Sequence, residues 1–210
     1  MRRNSDVAPK IGLLGGTFNP PHLAHLVCAQ EALVQLGLDR VLLVPAYEPP
    51  HKEVEADPGV EHRVELCRLA IAGDERFGVS RVEADVPVRS FTVDTLSRLH
   101  ETHPEAELTF IVGGDMAFSL PTWREPEAVL SLATLGVAER EGVERADISE
   151  RLAGLAGADR IRFFDMPRLD ISSSLIRRRV AAGLPIHFLV PEAVVAYIHR
   201  AGLYGAGEAA

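Results

Sequence analysis

Short runs of Val, Ile, Leu and Phe recur along the chain, and between them apolar residues fall three and four apart. The runs at 10–14, 40–44, 79–83, 108–112, 134–138 and 160–164 are bounded by Gly, Pro or charged residues and predict six strands. The stripe Leu23, Leu26, Val27, Ala29, Leu33 and Leu36 predicts a helix closed by Gly37. Val64, Cys67, Leu69 and Ile71 predict a second before Gly73, and Val93, Leu96 and Leu99 a third. After Pro167 the strand pattern stops, and two helices are expected at 172–182 and 191–201. Such alternation implies an α/β fold: a Rossmann-like, doubly wound, mostly parallel sheet of about six strands, with helices at the C-terminal end of the chain. Ligands are then expected at the C-terminal ends of the strands.

Composition narrows the class. The 210 residues are 47% hydrophobic and 25% charged, the balance of a packed globule. A chain of this length buries about 70% of its unfolded surface and needs no covalent staples. One domain over 9–204 is expected, with flexible ends at 1–8 and 205–210. The net charge of −8 argues against a broad basic surface for nucleic acid. No apolar run reaches the 18 residues of a membrane span, and the opening MRRNSDVAPK has no signal-like stretch behind it. Cys28 and Cys67 lie in apolar helical stretches and match no metal spacing, so a reducing compartment is favoured. A cytoplasmic enzyme is the expectation. Of 22 basic residues only Lys10 and Lys52 are lysines, which singles out Lys52 in the chain's interior.

Three segments carry candidate chemistry. The first strand runs into GGTFNPPHLAH at 15–25 and directly into the first helix. Glycines at a strand end let backbone amides approach a ligand, and a helix N-terminus favours an anion. His22 and His25, three apart, share one helix face and can donate to phosphate oxygens. The same residue types also make an ordinary tight turn. Zinc-protease histidines stand four apart with Glu after the first, a pattern not met here. Neither GxxxxGKS/T nor GxGxxG is present. In ISSSLIRRR at 171–179, serines at a helix start and Arg177 one turn beyond Ser173 can address one phosphate; an N-cap with a solvated basic face is the competing reading. The proline-rich connection at 45–59 carries Lys52, either a point charge closing over phosphates or a solvated surface lysine.

Together these segments resemble the adenylyltransferase branch of the nucleotidylyltransferase superfamily, whose signatures read GGTFDPxHxGH and ISSTxIR. PPHK at 49–52, SFTVDTL at 90–96, FIVGGDMAFSLPTW at 110–123 and VPEAVVAYIHRAGLY at 190–204 narrow the resemblance to bacterial nicotinate-nucleotide adenylyltransferases. It spans nearly the whole chain, from Lys10 to Tyr204. The chain departs from the family pattern at Asn19 for Asp, Ala24 for Gly, Ser174 for Thr and Phe91 for Tyr, none of which touches the histidines or Arg177.

The resemblance implies transfer of the adenylyl group of ATP to nicotinate mononucleotide, giving nicotinate adenine dinucleotide and pyrophosphate. It assigns His22, His25, Lys52 and Arg177 to the reacting phosphates. Gly15, Gly16, Thr17 and Phe18, with Ser173 and Ser174, would hold ATP, and Gly113 and Asp115 its adenosine or ribose. Thr92 and Trp123 would form the pyridine site, with Trp123 stacked on the ring. Mg2+ is expected to travel with ATP, without a dedicated protein metal site, and neither nucleic acid nor membrane is an expected partner. The same motifs leave room for a sibling acting on nicotinamide mononucleotide or phosphopantetheine, and for a module that binds nucleotide without catalysis.

Overall fold

The computed structural model describes residues 8–49, 55–139 and 144–206. Its centre is a six-stranded sheet in the order β3-β2-β1-β4-β5-β6. The strands are β1 (Lys10–Gly16), β2 (Arg40–Pro45), β3 (Phe77–Val79), β4 (Glu107–Gly113), β5 (Thr134–Glu139) and β6 (Ile161–Asp165). Every pairing is parallel, so the expected mostly parallel sheet is wholly so among these strands. The order reverses between β1 and β4, and in open α/β sheets the crevice at that reversal is where ligands bind.

Period-two alternation explains the two-sided core. Leu13, Leu42, Phe110 and Val137 face one apolar cluster, while their neighbours Leu14, Leu43, Ile111 and Ala138 face the other. Helices α3 (Thr92–Thr102), α5 (Pro126–Leu132) and α6 (Arg145–Leu152) and the short α4 (Gly114–Phe118) cover the first face. Helix α1 (Leu23–Gln35) and Cys67 of α2 (Val60–Ala70) cover the second. Gly37, at φ 63°, lets the chain turn out of α1 into β2, as its place after the stripe predicts.

The C-terminal helices α7 (Ser173–Ala181) and α8 (Glu192–Arg200) build a third cluster. There Ile176, Val180, Val194, Val195 and Ile198 pack with Leu66 and Ala70 of α2. The other face of α2 therefore anchors the tail of the chain beside the C-terminal strand ends.

The third strand differs from its prediction. It runs 77–79 rather than 79–83, and the chain leaves the sheet into a turn closed by Asp85 N–H to Arg81 C=O at 3.0 Å. Arg81 bridges Glu61 and Asp85 with its guanidinium, and Glu83 turns inward to Thr95, so polar tertiary contacts override the apolar signal of Val79 and Val82.

Candidate active site

Strand β1 ends on Gly15 and Gly16. A Cβ on Gly15 would stand 3.1 Å from the Phe110 ring, and one on Gly16 would stand 3.1 Å from the Phe18 ring. Glycine is what lets these rings close against the strand end. Phe18 itself is buried and held at φ 52°, an uncommon conformation for a side chain of its size. A cis Asn19–Pro20 bond follows, and His22 caps α1.

The two histidines meet as their spacing predicts. Their rings stack with centroids 3.7 Å apart, His22 is 5% exposed, and the Phe18 ring edge packs on His25 at 5.0 Å. The backbone N–H of His22 donates to His25 Nδ1 at 3.2 Å. An Nδ1 that accepts a hydrogen bond leaves the proton on Nε2, so with this bond in place His25 offers Nε2–H as its donor. At the start of α1, Leu23 N–H donates to Leu189 C=O, and His25 and Leu26 N–H donate to His22 C=O.

The second motif comes to the same corner. Ser173 Oγ donates to Pro20 C=O at 2.8 Å, and Arg177 Nη1 donates to Asn19 C=O at 2.9 Å. Arg177 Nη2 reaches Ser174 Oγ at 3.3 Å and lies 3.6 Å from the Glu55 carboxylate. Ser172 makes the N-cap, accepting from Leu175 N–H. The serine N-cap of the competing reading is present, while Ser173, Ser174 and Arg177 lie at the corner that follows β1.

Asn19 extends the junction. Only 2% exposed, it donates from Nδ2 to Glu55 C=O and accepts the Tyr204 hydroxyl proton at Oδ1. Burial pushes the Tyr204 phenol well above its usual range, so it stays a donor. Glu55 closes the long connection from β2; Lys52, predicted on that connection, lies outside the described residues.

The segments expected to take the adenosine or ribose of ATP and the pyridine nucleotide lie across the reversal. Gly113 ends β4, and Asp115 stands exposed in the first turn of α4. Phe110 sits between Gly15 and Trp123, meeting the indole edge to face at 6.2 Å, and Trp123 Nε1 donates to Ser119 Oγ. Arg124 joins this segment to the start of α3 by stacking over Phe91 and pairing with Asp94 at 3.2 Å. Beneath that start lies Glu83, 7% exposed, accepting from Thr95 Oγ1 at 2.6 Å. Burial holds its carboxyl above the ordinary 4.5, against the opposing pull of Thr95, Ser90 and Arg98.

The sequence reading missed Arg63. It lies on α2 in a stretch read only for its apolar stripe, yet it is fully buried and donates four hydrogen bonds. A lone arginine inside a helical stripe is the one available signal, and sequence does not separate it from a solvated one. Away from all of this, a cavity of about 570 Å³ opens at the N-terminal strand ends, lined by Lys10, His100, Glu107, Arg160 and Arg162. It shares no residue with the corner described above.

The family model described as cytidylyltransferase-like matches residues 13–179. A probable nicotinate-nucleotide adenylyltransferase of Pelobacter propionicus is 41% identical over 93% of this chain and 98% of its own length. One from Roseiflexus sp. is 44% identical over 92% and 97% respectively. In fold, the chain is similar to nicotinic acid mononucleotide adenylyltransferase of Plasmodium falciparum, with a TM-score of 0.75 at 18% identity, covering 95% of this chain and 98% of that one. With the glycine corner, the paired histidines and the serine-arginine helix tip in one place, this chain belongs to the nicotinate-nucleotide adenylyltransferases of the cytidylyltransferase-like family.

Proposed function

We propose that the protein joins ATP to nicotinate mononucleotide, releasing pyrophosphate and forming nicotinate adenine dinucleotide, with catalysis by positioning and charge stabilisation. The observation that carries this reading is the pair of hydrogen bonds from Ser173 and Arg177 to the 19–20 backbone, which sets the helix tip beside His22 and His25. Two motifs more than 150 residues apart thereby meet at one corner, which supports their addressing one polyphosphate together.

The nucleophile is the mononucleotide's own phosphate, whose second pKa of about 6 leaves it mostly dianionic at neutral pH. No general base is needed, and no covalent intermediate forms. The barrier is the meeting of two anions, and holding them in line contributes on the order of 7–11 kcal/mol. His22 stabilises charge at the α-phosphate, while His25 through Nε2–H, Arg177 and Lys52 hold the departing pyrophosphate. Gly15, Gly16, Thr17 and Phe18 line the nucleotide with Ser173 and Ser174, and Gly113 and Asp115 take its sugar side. Trp123 stacks on the pyridine ring, and the backbone near Thr92 receives its carboxylate.

Among the described residues no three His, Cys, Asp or Glu side chains gather as a metal site. In this proposal Mg2+ arrives on the triphosphate oxygens and offsets their charge. No helix among the described residues is long and apolar enough to cross a membrane. A cytoplasmic setting fits the ATP substrate and the buried thiol of Cys67, which burial pushes far above its usual range.

Pyrophosphate release tests the reading. With ATP and Mg2+ supplied, nicotinate mononucleotide is expected to be consumed well and its amide poorly. Release with the amide alone would move the substrate to the sibling reaction. Absence of release with any mononucleotide would leave a nucleotide-binding module.

A further inference from the structure

The guanidinium of Arg63 touches neither histidine, yet it ties together the loops that form the site. Nη1 donates to Thr17 C=O at 3.0 Å and to Ala46 C=O at 2.6 Å, Nη2 donates to Tyr47 C=O at 3.0 Å, and Nε donates to Asp57 Oδ1 at 2.9 Å. Thr17 belongs to the nucleotide corner after β1. Ala46 and Tyr47 begin the long connection after β2, and Asp57 stands near its far end. One buried group therefore fixes the corner and both feet of the connection that carries Lys52.

The linkage continues toward the other substrate. Ala46 N–H donates to Gly16 C=O at 2.9 Å, tying the same backbone to the nucleotide corner. Tyr47 N–H donates to Ser90 Oγ at 3.2 Å, and Ser90 N–H donates to Glu48 C=O at 2.9 Å. Ser90 lies two residues before Thr92, where α3 begins. Residues 46–48 are thus held on one side by Arg63 and the ATP corner, and on the other by the segment expected to take the pyridine carboxylate.

A buried guanidinium is costly unless its donors are satisfied, and an apolar side chain would fill α2's inner face at lower cost. Here three of the four acceptors are backbone carbonyls of site loops rather than groups of the core. Lysine could not replace it, because a single ammonium cannot span Thr17, Tyr47 and Asp57 together.

We infer that Arg63 is a positioning residue for the transfer step: it sets the distance between the ATP corner and the mononucleotide segment, and so the in-line approach of the two phosphates. The inference rests on the adenylyl-transfer reading above. A residue with this role acts on kcat more than on the binding of either substrate alone, because each half-site stays locally intact while their relation loosens.

The test compares wild type with Arg63→Lys in steady-state pyrophosphate release, alongside ATP binding by calorimetry and thermal unfolding. In a folded Arg63→Lys, kcat is expected to fall about 100-fold, the effect of an ångström-scale misplacement, with the ATP Kd within about threefold of wild type. Unchanged kcat in the folded variant overturns the inference, as does a loss carried entirely by KM. If Arg63→Lys does not fold, Asp57→Ala carries the test, because it removes the Nε acceptor, a carboxylate 29% exposed that also accepts from Gly59 N–H, and leaves the three carbonyl bonds of Arg63 in place. A fall in its kcat of about 3- to 10-fold at unchanged ATP Kd supports the role, and wild-type kcat overturns it. An inactive wild type would instead remove the adenylyl-transfer reading itself.

Discussion

His22 caps α1 and stacks on His25 at 3.7 Å, so neither ring turns freely, and the backbone bond to Nδ1 decides which nitrogen of His25 donates. Pre-set donors of this kind cost no reorganisation as charge develops, and removing one typically lowers the rate about 100- to 1,000-fold. His22→Ala is therefore expected to lower kcat by that factor while ATP binding changes only a few-fold. Single-turnover rates beside ATP titrations measure both, and an unchanged kcat would remove His22 from the α-phosphate. Asn19, where the family pattern has Asp, shows why one position can defy reading from sequence. Its amide donates to Glu55 C=O and accepts from Tyr204, a pair of roles that a carboxylate cannot fill. The histidine spacing foretold a shared face; the partners of Asn19 were beyond reach because both are distant in sequence.

Among the elements, α7 and the segment after α8 act as clamps on a loop they do not adjoin in sequence. Ser173 and Arg177 hold the 19–20 carbonyls, and Tyr204 holds the Asn19 side chain. Tyr204→Phe leaves a buried Asn19 oxygen without its donor, which costs about 1–3 kcal/mol. Urea unfolding is expected to show that loss of stability, and a variant as stable as wild type would mean the loop holds without its C-terminal clamp. The elements themselves were largely legible. The strand runs around 10–14, 40–44, 108–112, 134–138 and 160–164 and the stripes of α1, α2 and α3 mark their places, because burial on one or both faces imposes a period on the sequence. The third strand slipped, since it sits at the sheet edge and Gly78 interrupts its apolar run. Helices α4 and α5 left little trace, being only five and seven residues long.

For the molecule as a whole, the buried Glu83 couples folding to pH. Its carboxyl sits above the ordinary 4.5, so the folded protein binds the proton more tightly than the unfolded chain. The contribution is full below 4.5 and is lost as pH rises through the raised folded value. Glu83→Gln keeps an acceptor for Thr95 but cannot ionise, so its stability curve should lack that decline, and the variant should gain on wild type toward neutral pH. Unfolding free energies from pH 4 to 8 measure this, and parallel curves would refute it. The chain's linear pattern settled the α/β class, five of the six strands, the longer helices and the family resemblance, because hydrophobic periodicity and contiguous motifs are local properties written residue after residue. It named the histidines, the serines and Arg177 for the same reason. Only the folded molecule decided that Arg177 grips the loop before His22, that Arg63 binds the site's loops from within, and that Glu83 lies buried beneath α3. Those roles depend on which backbone carbonyls and hydroxyls arrive beside a side chain when distant segments pack, and no spacing along the chain encodes that arrival.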